Sequence, residues 1–300
     1  SSERMSQVPF RGVFPVLLTP IGANGDVLYE ELAQQVDFCV TAGAHGLVFP
    51  VLGSEFQFLT DVERQRGMET VVRTAAGRLP VVGGVAAPSR QVAVQCAHAA
   101  ADAGVDAVIA LPPYISAGTS DEIRAYYEAV ATAAGRPMFI QHTHGGMSAT
   151  FLQEMLRDIE HVRYLKEEMQ PSAHQISAVL AGGAPWEGVF GGGHGRWMLS
   201  EMQRGAHGFM PATEAVDVHV QVWEAWQAGD ETGARRIYSQ LLPLINLILL
   251  MGLPVCKTLL MRRGVFSSAA MRTPGTPLLD AGDERELDAI LETLRPLFRA

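Results

Sequence analysis

The chain has 300 residues, 48% of them hydrophobic and 18% charged, which excludes a disordered or fibrous protein and suits one large α/β domain. Lys+Arg 23 against Asp+Glu 32 leaves a formal net charge of −9, the wrong sign for a nucleic-acid or anionic-membrane binder. The three cysteines, Cys39, Cys96 and Cys256, are too few and too scattered for a disulfide framework or a paired-cysteine zinc site, and they indicate a reducing compartment.

Short apolar runs then alternate with amphipathic stretches along the chain. The first run, 13–19, precedes a helical pattern over 28–41. The second, 46–51, ends in Leu52-Gly53-Ser54-Glu55 and leads to a helix over 61–76, opened by the capping-box pair Thr60 and Glu63. The third run, 80–85, pairs with a helix over 90–103. The fourth, 107–111, runs into Leu111-Pro112-Pro113-Tyr114 before a second capping box, Thr119 and Glu122, and a helix over 121–134. The fifth, 137–142, ends in Gln141-His142-Thr143-His144, with a helix over 150–158. The sixth, 162–166, closes on Lys166 and precedes a helix over 173–181. The seventh, 187–190, is followed by Gly191-Gly192-Gly193-His194-Gly195 and a helix over 196–204. The eighth, 207–211, precedes a helix over 215–228.

Most of these runs are continuous rather than alternating, as in a parallel sheet covered on both faces. Eight strand–helix units within 8–229 predict an α/β fold of the (β/α)₈ TIM-barrel type. A doubly wound sheet is the competing topology, but no GxGxxG follows the first strand. Residues 230–300 read as a C-terminal helical extension packed on the barrel, with helices over 231–253, 254–263 and 283–298. The longest apolar stretch, 241–255, contains Pro243, Asn246 and Pro254, too short and interrupted for a membrane span. No secretory leader is read, so a cytoplasmic enzyme is expected.

Barrel active sites lie at the C-terminal ends of the strands. Lysine occurs only at Lys166 and Lys257, every other residue of the basic pair being arginine. A guanidinium cannot lose its proton and attack a carbonyl, whereas a desolvated lysine can form a Schiff base with a keto group. Val162, Tyr164 and Lys166 are expected to share one face, and Lys166 would then point into the barrel mouth. Position alone leaves open a surface lysine paired with Glu167 or Glu168. Lys257, at the start of a late helix, reads as structural, reaching carbonyls or a carboxylate near the barrel.

Gly53 lets backbone N–H groups approach a ligand and Ser54 adds a hydroxyl, so this loop can hold a carboxylate without a charged side chain, although an ordinary loop has the same pattern. The His142-x-His144 pair could be a metal pair with His194 across the mouth. The nearest acids lack ligand spacing, and no metal or cofactor is expected. Alternation places His142 and His144 on one face and Gln141 with Thr143 on the other. The glycine-rich loop at Gly191, Gly192 and His194 leaves room for a ligand, and no Gly-Lys-Ser/Thr follows to make it a P-loop.

These pieces together resemble the dihydrodipicolinate synthase / N-acetylneuraminate lyase superfamily. The likeness rests on Gly12-Val13-Phe14-Pro15, Leu18-Thr19-Pro20, and Gly53-Ser54-Glu55 where the family has Gly-Thr-Thr-Gly-Glu. It continues in Leu111-Pro112-Pro113-Tyr114, Leu165-Lys166-Glu167 and Pro254-Val255-Cys256-Lys257. The resemblance implies a homotetramer built as a dimer of dimers, with Lys166 as the imine lysine. The family's relay tyrosine on strand five is replaced here by Gln141, which argues against the lysine-pathway reaction. The chain is most similar to the 2-keto-3-deoxy-arabinonate dehydratase branch, which also has Gln at that position.

The expected partner is a small-molecule 2-keto acid, with no nucleic acid or membrane. The expected activity is a Schiff-base lyase that dehydrates or cleaves a 2-keto-3-deoxy sugar acid. Lys166, Gln141, His142 and His144 are the candidate catalytic residues. Gly53, Ser54, Tyr114, Gly191, Gly192 and His194 are the candidate substrate contacts. A tyrosine-free strand five leaves the proton at C4 to His142, His144, a carboxylate or water, and a pocket role is expected for at least one of the two histidines. Two other readings stand: a metal-dependent barrel hydrolase using His142, His144 and His194, and a silent member that only binds a keto acid.

Overall fold

A computed structural model describes residues 8–144, 146–183 and 185–300. Eight strands alternate with eight helices. The strands are β1 (Gly12–Val13), β2 (Leu47–Phe49), β3 (Val81–Gly84), β4 (Ala107–Ala110), β5 (Met138–His142), β6 (Val162–Glu167), β7 (Gly188–Gly191) and β8 (Gly208–Phe209). The helices that follow them are α1 (Tyr29–Ala42), α2 (Asp61–Ala75), α3 (Arg90–Ala103), α4 (Ser120–Ala134), α5 (Ala149–Asp158), α6 (Ser172–Ala181), α7 (Met198–Gln203) and α8 (Val216–Gln227). All strand pairs are parallel, β2 to β8 each beside their sequence neighbours, and β1 pairs with β8. Both predicted capping boxes form, at Thr60 with Glu63 and at Thr119 with Glu122.

The first predicted strand, 13–19, is only partly realised as a ladder. Pro15 has no N–H to donate, so regular pairing stops at Val13. Val16 then bridges to both Val48 and Ala212, and Leu17 N donates to Val48 O at 2.9 Å, which joins the two ends of the sheet into a barrel.

Two apolar cores result. The larger lies between strands and helices, and the smaller fills the barrel interior with Phe10, Phe14, Phe139, Tyr164 and Phe190 among others. Phe139 and Tyr164 stack at 4.5 Å, and Phe10 closes the lower end by donating its N–H to the Tyr164 hydroxyl at 3.0 Å. This aromatic floor occupies the interior below the mouth. Where β2 and β3 end, Gly84 lies so close to Pro50 that a Cβ would sit 1.7 Å from the Pro50 carbonyl oxygen, so only glycine fits.

The expected shared face of Val162, Tyr164 and Lys166 is corrected by a β-bulge. Met138 pairs with Val162 but Phe139 pairs with Tyr164, which leaves Arg163 as the extra residue. Val162 therefore joins the outer core while Tyr164 faces inward. The parity beyond the bulge still carries Lys166 to the mouth.

After Asp230 come α9 (Glu231–Met251), α10 (Leu253–Arg262) and α11 (Ala281–Leu294). They pack on the barrel: α9 lies against α8, Lys257 of α10 reaches Glu55, and Arg272 pairs with Glu63 at the start of α2. Among the described residues no helix is long and apolar enough to cross a membrane.

Candidate active site

Strand alternation raises the inward column of β6 from Tyr164 to Lys166 and then to Glu168 just beyond the strand. Lys166 is 4% exposed and borders a cavity of about 240 Å³. Val16, Leu52, Gly53, Gln141, Glu168, Gly193, His194, Met210, Ala212 and Leu253 complete its wall. Leu253 belongs to α10, so the C-terminal helices supply part of the site.

Glu168 is the hub of the polar groups. Its Oε1 lies 3.2 Å from Lys166 Nζ and accepts from Thr143 Oγ1 at 2.9 Å and from Gln141 Nε2 at 3.3 Å. Its Oε2 accepts from Gly193 N at 3.0 Å. A Cβ on Gly192 would stand 2.5 Å from the Glu168 carboxyl, so glycine at this point makes room for the acid. Burial by itself pushes the Glu168 carboxyl up. The Lys166 ammonium, the Thr143 hydroxyl and the Gly193 N–H outweigh that and hold it below the usual carboxylate range.

His142 faces the other way, and the expectation that it or His144 serves the pocket is corrected here. One strand position from Gln141, the His142 side chain crosses to the outer face of the sheet. Its Nδ1 lies 2.8 Å from Glu167 Oε1, and its Nε2 accepts from Met147 N at 2.9 Å. That acceptor role places the ring proton on Nδ1, donated to Glu167. The second Glu167 oxygen accepts from Met169 N at 2.9 Å. The pair is sealed, with 2% and 0% of the two side chains exposed, and it ties the loops after β5 and β6 together. His144 is exposed and does not border the cavity.

The other expected contacts divide similarly. Gly53 and His194 border the cavity. Ser54 does not: its hydroxyl donates to Leu17 O at 2.5 Å and accepts from Val51 N at 3.2 Å, so it staples the loop rather than reaching a ligand. Tyr114 stands edge-on to Phe56 at 5.6 Å, away from the cavity wall. Gly191 faces outward, where a Cβ would lie 2.6 Å from the buried Glu201 carboxyl group. His194 is held in the left-handed region, with φ 60, and its carbonyl lies 2.8 Å from a His219 ring nitrogen. Burial lowers the His194 imidazole to about 4.

Glu168 and Thr143 were not singled out as site residues in the sequence, though a signal was available. Both sit two positions from an inward residue, Lys166 and Gln141, and period-2 alternation carries the same face one step past each strand. The three histidines of the hydrolase reading do not converge among the described residues, because His142 is committed to Glu167 and turned out of the cavity.

A parallel eight-stranded barrel with a buried lysine and a hydrogen-bonded glutamate at its C-terminal mouth has the layout of a (β/α)₈ enzyme that works on a small polar molecule. A sequence model of the Dihydrodipicolinate synthetase family matches residues 9–294, and the chain belongs to that family. It is a lyase of the carbon–oxygen or carbon–carbon type that this family comprises. It is 32% identical over 295 residues to an L-2-keto-3-deoxyarabonate dehydratase of Azospirillum brasilense, covering 96% of this chain and 95% of the relative. It is 28% identical over 249 residues to a 4-hydroxy-tetrahydrodipicolinate synthase of Bradyrhizobium diazoefficiens, covering 80% and 82%. The crystal structure of dihydrodipicolinate synthase from Rhodopseudomonas palustris superposes with a TM-score of 0.87 at 26% identity, covering 95% of this chain and 97% of that one.

Proposed function

We propose that the protein dehydrates a 2-keto-3-deoxy sugar acid through a Schiff base on Lys166, with Glu168 moving the protons. The observation that carries this reading is the Glu168 carboxylate 3.2 Å from Lys166 Nζ, in a mouth whose strand five offers Gln141 and no titrating side chain. The likeness to the arabonate-type dehydratase supports the substrate class.

The chemistry then runs on this chain's own groups. An amine attacks only as the free base, and Glu168 is the acceptor within reach of the Lys166 proton. Nζ adds to C2 of the keto acid, and loss of water from the carbinolamine leaves a protonated imine. That cation is an electron sink, so Glu168 can take the C3 proton to give the enamine. The enamine nitrogen is neutral, and the charge that held the Glu168 carboxyl down is gone. Glu168 is then a better proton carrier when the C4 hydroxyl must leave as water. Hydrolysis of the remaining imine frees Lys166, and the net change is loss of one water across C3–C4.

Gln141 and Thr143 cannot titrate in this range and serve to orient Glu168 and the hydroxyl. The backbone at Gly53 is the proposed seat of the substrate carboxylate. A homotetramer is part of the same reading, supported by the exposed apolar side chains Ile115 and Leu250, and a cytoplasmic location goes with it. Light scattering checks the assembly.

The test is incubation with a panel of 2-keto-3-deoxy acids, mass detection of products, and borohydride reduction in the presence of pyruvate. The expected result is a product lighter by one water and mass added to the peptide bearing Lys166. Pyruvate as the product would replace dehydration by aldol cleavage. Labelling at Lys257, or none with any keto acid, would overturn the imine.

A further inference from the structure

His194, Glu214 and Cys256 come from three separate elements: the glycine-rich loop after β7, the segment after β8, and α10. One ligand atom of each, an imidazole nitrogen, a carboxylate oxygen and the thiol sulfur, lies within 4.8 Å of the other two. Around a tetrahedral zinc ion such atoms stand roughly 3.4–3.8 Å apart, so closing the cluster on an ion needs about 1 Å of contraction.

The proposed lyase chemistry uses neither Glu214 nor Cys256, which are 1% and 0% exposed. The Cys256 thiol meets the Glu214 carboxyl, but two other polar atoms of the cluster are unsatisfied. Glu214 Oε2 and His194 Nδ1 are buried and have no hydrogen-bond partner among the described residues. Buried polar atoms are nearly always paired, and an unpaired one in a native core calls for an explanation. The neighbouring cations do not supply it. Arg263 is paired with Asp217 and reaches Glu214 only through its backbone carbonyl, at 3.0 Å. Lys257 is paired with Glu55.

We propose that His194, Glu214 and Cys256 bind one zinc-class divalent ion beside the substrate cavity. The donor set selects the metal class: a thiolate and an imidazole disfavour magnesium and calcium, which take oxygen ligands, and suit borderline ions such as zinc or cobalt. Three protein ligands leave one coordination position open. The ion replaces the thiol proton, and the proton on Glu214 where it carries one, and these leave to solvent. Because His194 also borders the cavity, occupancy pins the Gly191–Gly195 loop to α10 and links the barrel mouth to the C-terminal helices. Of the three ligands only His194 stands out as a metal candidate in the sequence; the others lie 20 and 62 positions beyond it and no spacing motif joins them.

The test is titration of the chelator-treated full chain with Co²⁺ and Zn²⁺, followed by calorimetry and absorption and independent of turnover. The expected result is one ion per chain and a thiolate-to-cobalt charge-transfer band that zinc abolishes. Cys256→Ser should remove the band and weaken binding about 100-fold or more, and Glu214→Gln should keep the band and weaken binding about 10-fold or more. Cys96→Ser should change neither. Circular dichroism reports folding, and if Cys256→Ser does not fold the Glu214→Gln affinity decides. No stoichiometric uptake by the wild type, wild-type affinity in Glu214→Gln, or loss of the band in Cys96→Ser would overturn the site. A failed keto-acid trap at Lys166 leaves these readouts untouched, so the two proposals fail separately.

Discussion

The two lysines of this chain are both buried and both face a glutamate, yet they are built for opposite ends. Lys257 is locked. Its Nζ donates to Glu55 Oε2 at 2.8 Å and to Ala270 O at 2.7 Å, and none of it is exposed. Glu55 is equally committed, accepting through Oε1 from Arg272 N, Thr273 N and the Thr273 hydroxyl. Burial still pulls the Lys257 ammonium below its ordinary range, against the pull of Glu55. Among the described residues Lys166 has a single longer contact, 3.2 Å to Glu168, and a cavity in front of it. A lysine with its donors used up on partners holds a fold together. A lysine with one loose partner and open space beside it is free to react.

The sharpest break in this comparison is Lys166→Arg. It keeps the charge beside Glu168 but removes the nucleophile, so borohydride trapping with pyruvate should vanish and turnover should fall on the order of 10⁴-fold or more. Retained trapping would transfer the role to Lys257. Glu168→Gln should come next. The imine forms more slowly, with water left to take the Lys166 proton, and turnover falls about 10²- to 10⁴-fold because the neutral amide can neither accept nor release a proton. Trapping by single-turnover reduction separates the two steps, and wild-type turnover in Glu168→Gln would hand the relay to water.

Lys257→Met tests the other member. It leaves the Glu55 carboxylate buried without its cation, which should cost about 3 kcal/mol in chemical denaturation. The folded fraction should still trap keto acid at Lys166. Equal stability would mean that the backbone and Thr273 donors alone satisfy Glu55.

The most gradual effect concerns Glu201, which sits on α7 behind the β7 end. Burial, aided by the Glu168 and Glu167 charges, pushes its carboxyl up to about 8. Between about 4.5 and 8 the folded chain therefore holds a proton that the unfolded chain has released. Stability falls as pH rises through that window, with a slope of at most about 1.4 kcal/mol per pH unit from this group. Glu201→Gln should flatten the decline measured between pH 5.5 and 8. Parallel curves for variant and wild type would place the titration elsewhere.

The sequence alone determined the barrel, its order of units and the lysine at the end of the sixth strand. These rest on local signals: continuous apolar runs, capping boxes such as Thr60 with Glu63, and the chemical difference between lysine and arginine. Local signals fix what lies within a few residues, because backbone geometry repeats at short period. The tertiary structure decided which side of the wall each side chain takes. The bulge at Arg163 moved Val162 to the outer core, and His142 turned out to Glu167 while Gln141, Thr143 and Glu168 turned in. It also decided the long-range pairings. Glu55 meets Lys257 across 202 positions, and Leu253 of α10 completes the cavity wall. Such contacts depend on how eight strands close and how the last helices dock on them. A burial pattern read at period two or 3.6 carries no record of which distant residue fills the other half of a contact.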